Sequence, residues 1–473
     1  MSTALGSDGA VALAQRTRLE GGAQLLVATS LASSLAFASG SLAAVSLAAI
    51  GQDLALTPLE LQWLVNAELL PLAAFTLTAG GLGDRFGRRP VFILGIALFG
   101  AGALLSALAG AWAALLLGRL VCGLGEALIL PNALSMLGEA FPSDRKARAV
   151  GVWSAAGAVA GAAAPGLAGL VLEHGSWRTP FLILAAVAVL ALFVAVLWTP
   201  RGGARSAVQV DWPGAGLSVL GLGALGWGLT SLTGGAASGA LSMTAIMFAL
   251  LVLGALVVVE RRQGRRAMLP PWLLASRDVI GANLFTALLY GPFTAMLTLL
   301  PFVMIQGAML SPVVAGAAFI PLQILITVIS PMAGRICQGL GRRAPLILGG
   351  LMVGAGCLAA LRIDADAAYW PDIFPAVLLL ALGMGLVVAP LSTLVLTSVD
   401  TDHAGTAAGV NSSVARVGSL VAVALIGGVL QGGPGLIPAF HLAMAVAAGS
   451  CGLAALAVLI VEPGPHTDFI PRD

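Results

Sequence analysis

The sequence predicts an all-α membrane protein: two pseudo-symmetric six-helix bundles plus an inserted helix pair, fourteen transmembrane helices in all. Three observations predict it. The 473-residue chain is 59% hydrophobic and only 9% charged, against about 25% charged in an ordinary globular domain. Apolar runs long enough to cross a bilayer, about 18 residues or more, recur from end to end. A basic Gly/Arg turn recurs at a fixed offset, in register with the helix count.

Hydrophobic runs bounded by charged or Pro/Gly-rich breaks place the first six spans at 22–50, 61–83, 91–110, 112–139, 148–172 and 179–199. Two more follow at 212–234 and 238–260, joined by a tight hairpin near 235–238. The last six fall at 278–306, 310–333, 345–362, 372–398, 405–430 and 439–461. The implied organisation is a tail (1–21), a first bundle (22–200), a two-helix linker (201–277), a second bundle (278–462) and a tail (463–473). The apolar stretch after Arg16 and Arg18 is too long for a signal-peptide core and reads as an uncleaved first helix.

An even span count puts both termini on one side, and the basic residues choose that side. Connections there hold 19 of the 23 Lys and Arg, among them Arg85, Arg88, Arg89, Arg145, Lys146 and Arg148. The other side holds Arg178 and Arg362, while Arg119 and Arg416 are intramembrane. Positive residues stay inside, so both termini are expected in the cytoplasm, with the protein in the inner membrane. Cys122, Cys337, Cys357 and Cys451 are scattered without metal-ligand spacing, so neither a metal nor a disulfide framework is expected.

The repeat pairs "GGLGDRFGRR" (80–89) with "GRICQGLGRR" (334–343), 254 residues later. Both keep Gly at the first and eighth positions and Arg-Arg at the end. Duplicated halves with a site between them are a transporter layout. "GLGALGWGL" (221–229) lies inside an apolar span with no preceding strand, so it is no dinucleotide loop. No ATP-binding loop or catalytic grouping occurs, which excludes an enzyme, needs no cofactor and leaves an ion gradient as the energy source.

These residues resemble the major facilitator superfamily, and within it the fourteen-span drug:proton antiporters, over about residues 25–460. "GGLGDRFGRRP" is similar to the family's loop between helices two and three, and "RLVCGLGEA" to its helix-four motif. In the latter Arg119, Gly123, Gly125 and Ala127 match, but Cys122 replaces Gln. "GAAAPGLAG" (161–169) resembles the antiporter motif of helix five, with Ala164 and Ala168 in place of two glycines. "LQWLVNAELL" (61–70) and "WRTPFLI" (177–183) resemble further signatures of the branch. Two departures stand out against that resemblance. Helix one usually carries a transport-linked aspartate where this chain has Ser39, and helix two a tyrosine where it has Glu68. The acidic function is therefore expected to have moved.

Gly80, Asp84, Arg85, Gly87, Arg88 and Arg89 form the gating loop that the resemblance implies, a bridge between halves in the outward-open state. Physically, Asp84 suits a neighbouring helix N-terminus, and the arginines suit acids such as Glu139 or Asp144. Positive-inside topology alone would require the arginines, but neither Asp84 nor the glycines. Gly157, Gly161, Pro165, Gly166 and Gly169 make a smooth, kinked stripe on helix five. The resemblance implies a leak-tight hinge there; ordinary close packing would use the same residues.

Charges at membrane depth cost roughly 2.5–3.5 kcal/mol each and usually face a cavity or a partner. Arg119 and Glu126 share one helix face, seven residues and about 10.5 Å apart, too far for a tight pair. Cys122 and Gly123 between them are expected to leave room for water or substrate. Glu126 is either a buried acid held by a fixed hydrogen bond or a carboxylate that trades a proton for a cationic substrate. Glu68 faces either the cavity or a helix interface, and Arg416 reads as structural. Asn66, Asn283, Gln323 and Asn411 line a site or bridge helices.

The function this implies is proton-coupled export of small amphipathic compounds by alternating access, that is, multidrug efflux and antibiotic resistance. The expected partners are that substrate, protons and the bilayer, with no nucleic acid, and the protein acts as a monomer. A dedicated exporter of one native metabolite (an antibiotic, siderophore or lipid) is the alternative. A non-transporting receptor would lack a coupling acid, and this chain keeps Glu126.

Overall fold

The computed structural model describes the backbone of residues 4–141, 143–200, 211–232, 236–263, 276–399, 404–430 and 435–462. Side chains of 4–20, 143–148, 236–238, 334–340, 404–406 and 423–430, and of residues 77, 158, 162, 174 and 331, lie outside that description. The C-terminal tail, most of the inserted hairpin, Asp144 to Lys146, Cys337, His174, His403 and His466 therefore lie outside it as well.

Among the described residues the chain is helical and has no strand. The first bundle's helices are α1 (Ala4–Asp53), α2 (Pro58–Phe86), α3 (Arg88–Leu108), α4 (Trp112–Ala140), α5 (Ser143–His174) and α6 (Arg178–Trp198). The inserted pair is α7 (Trp212–Ser231) and α8 (Ala236–Gln263). Then come α9 (Arg277–Gln306), α10 (Pro312–Ala317), α11 (Ile320–Leu340), α12 (Arg343–Ala359), α13 (Phe374–Thr397), α14 (Ala404–Leu430) and α15 (Leu436–Ala457). Eleven described helices are long and apolar enough to cross a membrane, or twelve if the bent α2 is one span. The span expected at 310–333 is one candidate span, Pro312–Ser330, with a two-residue turn at Ala318–Phe319 between α10 and α11, and the span expected at 372–398 begins with a π-helical turn, Tyr369–Ile373.

Local chemistry sets several boundaries. Thr57 caps α2 in a reciprocal capping box with Glu60, and Pro58 occupies the first turn. The Ser276 and Ser311 hydroxyls cap α9 and α10 by accepting from the Val279 and Val314 amides, and Asp211 caps α7. Gly87 alone separates α2 from α3, at φ +97°, a conformation that a side chain would strain. Further up, α2 bends by 55° between Pro58–Thr76 and Thr78–Phe86. Pro71 lies inside that helix and the Thr76 hydroxyl back-bonds to Leu72, both of which loosen the backbone ladder.

Two apolar cores result, one drawn from Leu25 to Ala195 and the other from Val279 to Val461. The pairings inside them match. A Cβ on Gly102 would lie 2.6 Å from the Gly118 carbonyl, and one on Gly125 2.7 Å from the Gly95 carbonyl, so α3 and α4 touch through backbone. In the second core Gly349 meets the Gly383 carbonyl at 2.7 Å and Gly356 the Ala376 carbonyl at 2.9 Å, joining α12 to α13. Gly349 and Gly356 lie 254 residues after Gly95 and Gly102, the offset of the sequence repeat. The arginines repeat as well. Arg89 donates to the Val196 carbonyl (2.8 Å) at the end of α6, and Arg343, 254 residues on, donates to the Leu459 carbonyl (3.1 Å) just past α15.

Between the cores, α1 packs on α9, α2 on α14, and α5 on α10 and α11. α7 lies against both α2 and α14, where Gly226 faces Leu70 and Leu420 at 3.1 Å each. α8 packs on α7 and is the least buried of the eleven described candidate spans, so among them it is the most open to lipid. The end of the molecule with Arg85, Arg88 and Arg89 is called the basic end below, and the opposite end the far end.

Candidate substrate and proton site

The centre of the first bundle is built on α1, α2 and α4. Gly123 of α4 is the seat: a Cβ there would collide with the Glu68 carbonyl, so only glycine lets α2 come so close. That contact corrects the expected opening between Arg119 and Glu126, because the Gly123 position is filled by α2. Cys122 points elsewhere, its thiol 3.6 Å from the Phe99 carbonyl of α3. The change from Gln to Cys thus falls on the α3–α4 contact.

Arg119 ion-pairs with Glu68, and its other terminal nitrogen donates to the Ser39 hydroxyl at 3.1 Å. Ser39 in turn donates to Glu68. The guanidinium carbon sits 5.7 Å from the Phe181 ring centre, a cation–π contact. All four polar side chains are buried, at 0% (Ser39), 4% (Glu68), 2% (Arg119) and 2% (Glu126) exposure. Ser39 and Glu68, the two departures that stand out against the resemblance, are therefore direct partners. The acid that the resemblance implies on helix one is matched here by one on helix two, opposite Arg119. Toward the far end Arg119 borders an apolar cavity of about 10 Å³, room for roughly one water, walled by Leu47, Ile50, Leu64, Leu115 and Phe181.

Glu126 is different. Its Oε1 is buried with no hydrogen-bond partner among the described residues. The Ser39 hydroxyl lies within its hydrogen-bonding reach, and the charges of Arg119 and Arg416 act on it. Arg416 comes from α14 of the second bundle. The sequence reading weighed Arg416 as structural and missed its relation to Glu126. The polar groups at helix depth act mainly as bridges. Asn66 donates to Thr230 at 2.7 Å, joining α2 to α7. Asn411 donates to Asn283 (3.1 Å) and Thr286 (2.7 Å), joining α14 to α9. Gln323 of α11 faces Gly161.

The loop between α2 and α3 is fastened to its own bundle. Arg88 pairs with Asp84 (3.0 Å) and with Glu139 (2.7 Å), and donates to the Ser135 carbonyl (3.1 Å). Arg89 adds a bond to the Thr199 hydroxyl at 2.9 Å. Arg85 lies over the Phe86 ring at 5.6 Å, and no neighbour crowds Gly80. Asp84 meets Arg88 one turn on, a partner that the sequence reading did not foresee. Asn132 was also missed; its amide holds the Ala79 carbonyl at 3.1 Å and occupies the space beside Gly83.

The helix-five stripe divides in two. Gly157 faces the Phe37 ring of α1, 2.5 Å from where its Cβ would be. Gly161, Gly166 and Gly169 face the second bundle, at Gln323, Ile320 and the Pro312 carbonyl. Gly316 of α10 closes the contact on the Pro165 carbonyl, so backbone meets backbone at the far end. Gly169→Ala and Gly316→Ala are expected to abolish efflux from vesicles, because a carbonyl cannot step aside and overpacking costs about 1–3 kcal/mol. Gly161→Ala meets only a flexible side-chain end and is expected to keep transport; equal loss in all three would refute a far-end contact that has to close.

With this geometry described, the comparisons place the chain. It is similar to the tetracenomycin C resistance and export protein of Streptomyces glaucescens, 29% identical over 385 residues, covering 81% of this chain and 71% of that protein. It is also similar to the multidrug resistance protein Stp of Mycobacterium tuberculosis, 27% identical over 407 residues, covering 86% and 75%. Its fold is that of a crystal structure of the peptide transporter POT in complex with sulfate, with TM-score 0.66, 16% identity, and coverage of 93% and 94%. The family model for the Major Facilitator Superfamily matches residues 29–423, so the chain belongs to that superfamily and is a multi-pass membrane transporter, not an enzyme.

Proposed function

We propose that this protein is a proton-coupled exporter of small amphipathic compounds that works by alternating access. The observation that carries this reading is Glu126, a buried carboxylate whose Oε1 has no hydrogen-bond partner among the described residues and on which the charges of Arg119 and Arg416 act. Arg119 is already engaged by Glu68, so Glu126 is the acid available to a proton or a cation. The reading takes the helices as fourteen spans in two six-helix bundles (22–200 and 278–462) joined by the pair within 201–277. It takes the protein as an inner-membrane monomer with both termini in the cytoplasm, as the arginine distribution supports. Asp84, Arg88 and Arg89 are read as a gating loop, and Gly161, Pro165 and Gly169 as the hinge against α10.

A dedicated exporter of one native metabolite is the second reading, favoured by likeness to a relative named for the resistance and export of tetracenomycin C. Likeness to a relative named as a multidrug resistance protein favours the broad reading. Purified protein in weakly buffered detergent is expected to release protons on addition of several unrelated amphipathic cations. Proton release by one compound class alone would select the dedicated exporter. Binding with no proton release by any compound would refute proton coupling.

A further inference from the structure

We propose that Arg416 is the second-bundle counter-ion of Glu126, and that their attraction across the bundle interface holds the empty, deprotonated transporter in one state. This deepens the proton-coupled reading and rests on it. Arg416 acts through Glu126 and is a positioning residue.

The register puts the two groups within one helical turn of each other. Leu70 of α2 and Leu420 of α14 meet over Gly226, which defines one layer shared by both bundles. Glu68, two residues from Leu70, packs on Gly123 of α4. α4 runs toward the basic end, so Glu126 lies three residues, about 4.5 Å, beyond Gly123 in that direction. α14 runs away from the basic end, so Arg416 lies four residues, about 6 Å, before Leu420 in the same direction. Glu68 lies about 3 Å to the far side of Leu70, so Glu126 sits about 1.5 Å and Arg416 about 6 Å to the basic side of that layer, within one helical turn of each other. The groups that act on Glu126 are Ser39 of α1, Arg119 and Cys122 of its own helix and Arg416 of α14, with Tyr290 of α9 acting on Arg416; Glu68 of α2 shares Ser39 and Arg119.

The pairing preferences follow from charge. Glu68 and Arg119 satisfy each other inside the first bundle. Arg416 makes no ion pair among the described residues, and Glu126 keeps a free oxygen. The leftover charges, one from each bundle, are opposite in sign. A proton on Glu126 removes that attraction, and so does an amphipathic monocation bound against the carboxylate. Either ligand licenses the change of state, and the empty carrier is held back. An exchanger needs that rule: if the empty form could reorient, protons would enter and the carrier would return unloaded, which is a leak.

The full chain in proteoliposomes, with an internal pH dye and an imposed pH gradient, tests this, with tetraphenylphosphonium as the probe cation. Wild type is expected to hold the gradient alone and to dissipate it when the probe is supplied. Arg416→Gln is expected to dissipate the gradient several-fold faster than wild type without the probe, and the added change Glu126→Gln is expected to stop that leak. An Arg416→Gln protein as tight as wild type with probe-driven exchange intact overturns the inference, as does a leak that survives in the double variant. If Arg416→Gln does not fold, Arg416→Met decides, since it keeps the length of the side chain without its charge: a leak faster than wild type supports the latch and a tight vesicle overturns it. Wild type that shows no probe-driven proton movement overturns the proton-coupled reading itself, whereas a coupled wild type with a tight Arg416→Gln overturns this inference alone.

Discussion

Glu126→Gln is expected to abolish pH-gradient-driven efflux while the protein stays folded. Glutamine keeps the shape of the side chain but neither takes up a proton nor carries the negative charge. The Oε1 atom has no hydrogen-bond partner among the described residues, so little native bonding is lost by the exchange. The change in unfolding free energy is expected to stay within about 1 kcal/mol, the scale of a single hydrogen bond. Loss of coupling should be near complete, since Glu68 is committed to Arg119 and cannot substitute without freeing that charge. Proteoliposomes with an imposed gradient and a fluorescent cation would measure it, alongside thermal unfolding in detergent. Coupled efflux at the wild-type rate would remove Glu126 from the mechanism.

The largest stability effect is expected at the Glu68–Arg119 pair. Glu68→Ala leaves a guanidinium buried at 2% exposure without its carboxylate. Breaking one side of a buried pair costs about 3–5 kcal/mol, because the remaining charge is uncompensated. Ser39 offers the repair. Its hydroxyl is 3.1 Å from Arg119, so an aspartate at that position brings a carboxylate to the same guanidinium. The Ser39→Asp/Glu68→Ala protein is therefore expected to recover most of the stability lost in Glu68→Ala, and it returns the acid to helix one. Expression and unfolding temperature in detergent measure both; a double variant as unstable as Glu68→Ala would show that the pair is not the source of the loss.

The fold was largely legible in the residues because the membrane imposes simple rules. Long apolar runs must be helices, since no water is present to satisfy an open backbone. The repeat at 80–89 and 334–343 carries over into three dimensions, through Gly349 and Gly356 and through Arg343. The Arg88–Glu139 pair was foreseeable from charge and helix ends. The 55° bend of α2 was not, because Pro71 lies six residues from the bend and does not mark where the axis turns.

The site was only half legible, for a physical reason. A helix apolar on every side gives no sequence signal for which face meets which neighbour. Ser39 and Glu68 could each be seen as out of place, yet nothing in the chain order says that they touch. Gly123 reads as empty space until α2 is seen to fill it. Arg416 and Glu126 are 290 residues apart, and the packing of α4 on α2 and of α2 on α14 brings their helices together.

The sequence by itself determined that this chain is a helical membrane protein with duplicated turns and buried charges. Composition and periodicity act along the chain, and they suffice for that much. The tertiary structure alone decided which acid is spent on Arg119 and which is left free. That choice depends on how three helices turn their faces together, and close glycine contacts, not hydrophobicity, set those rotations.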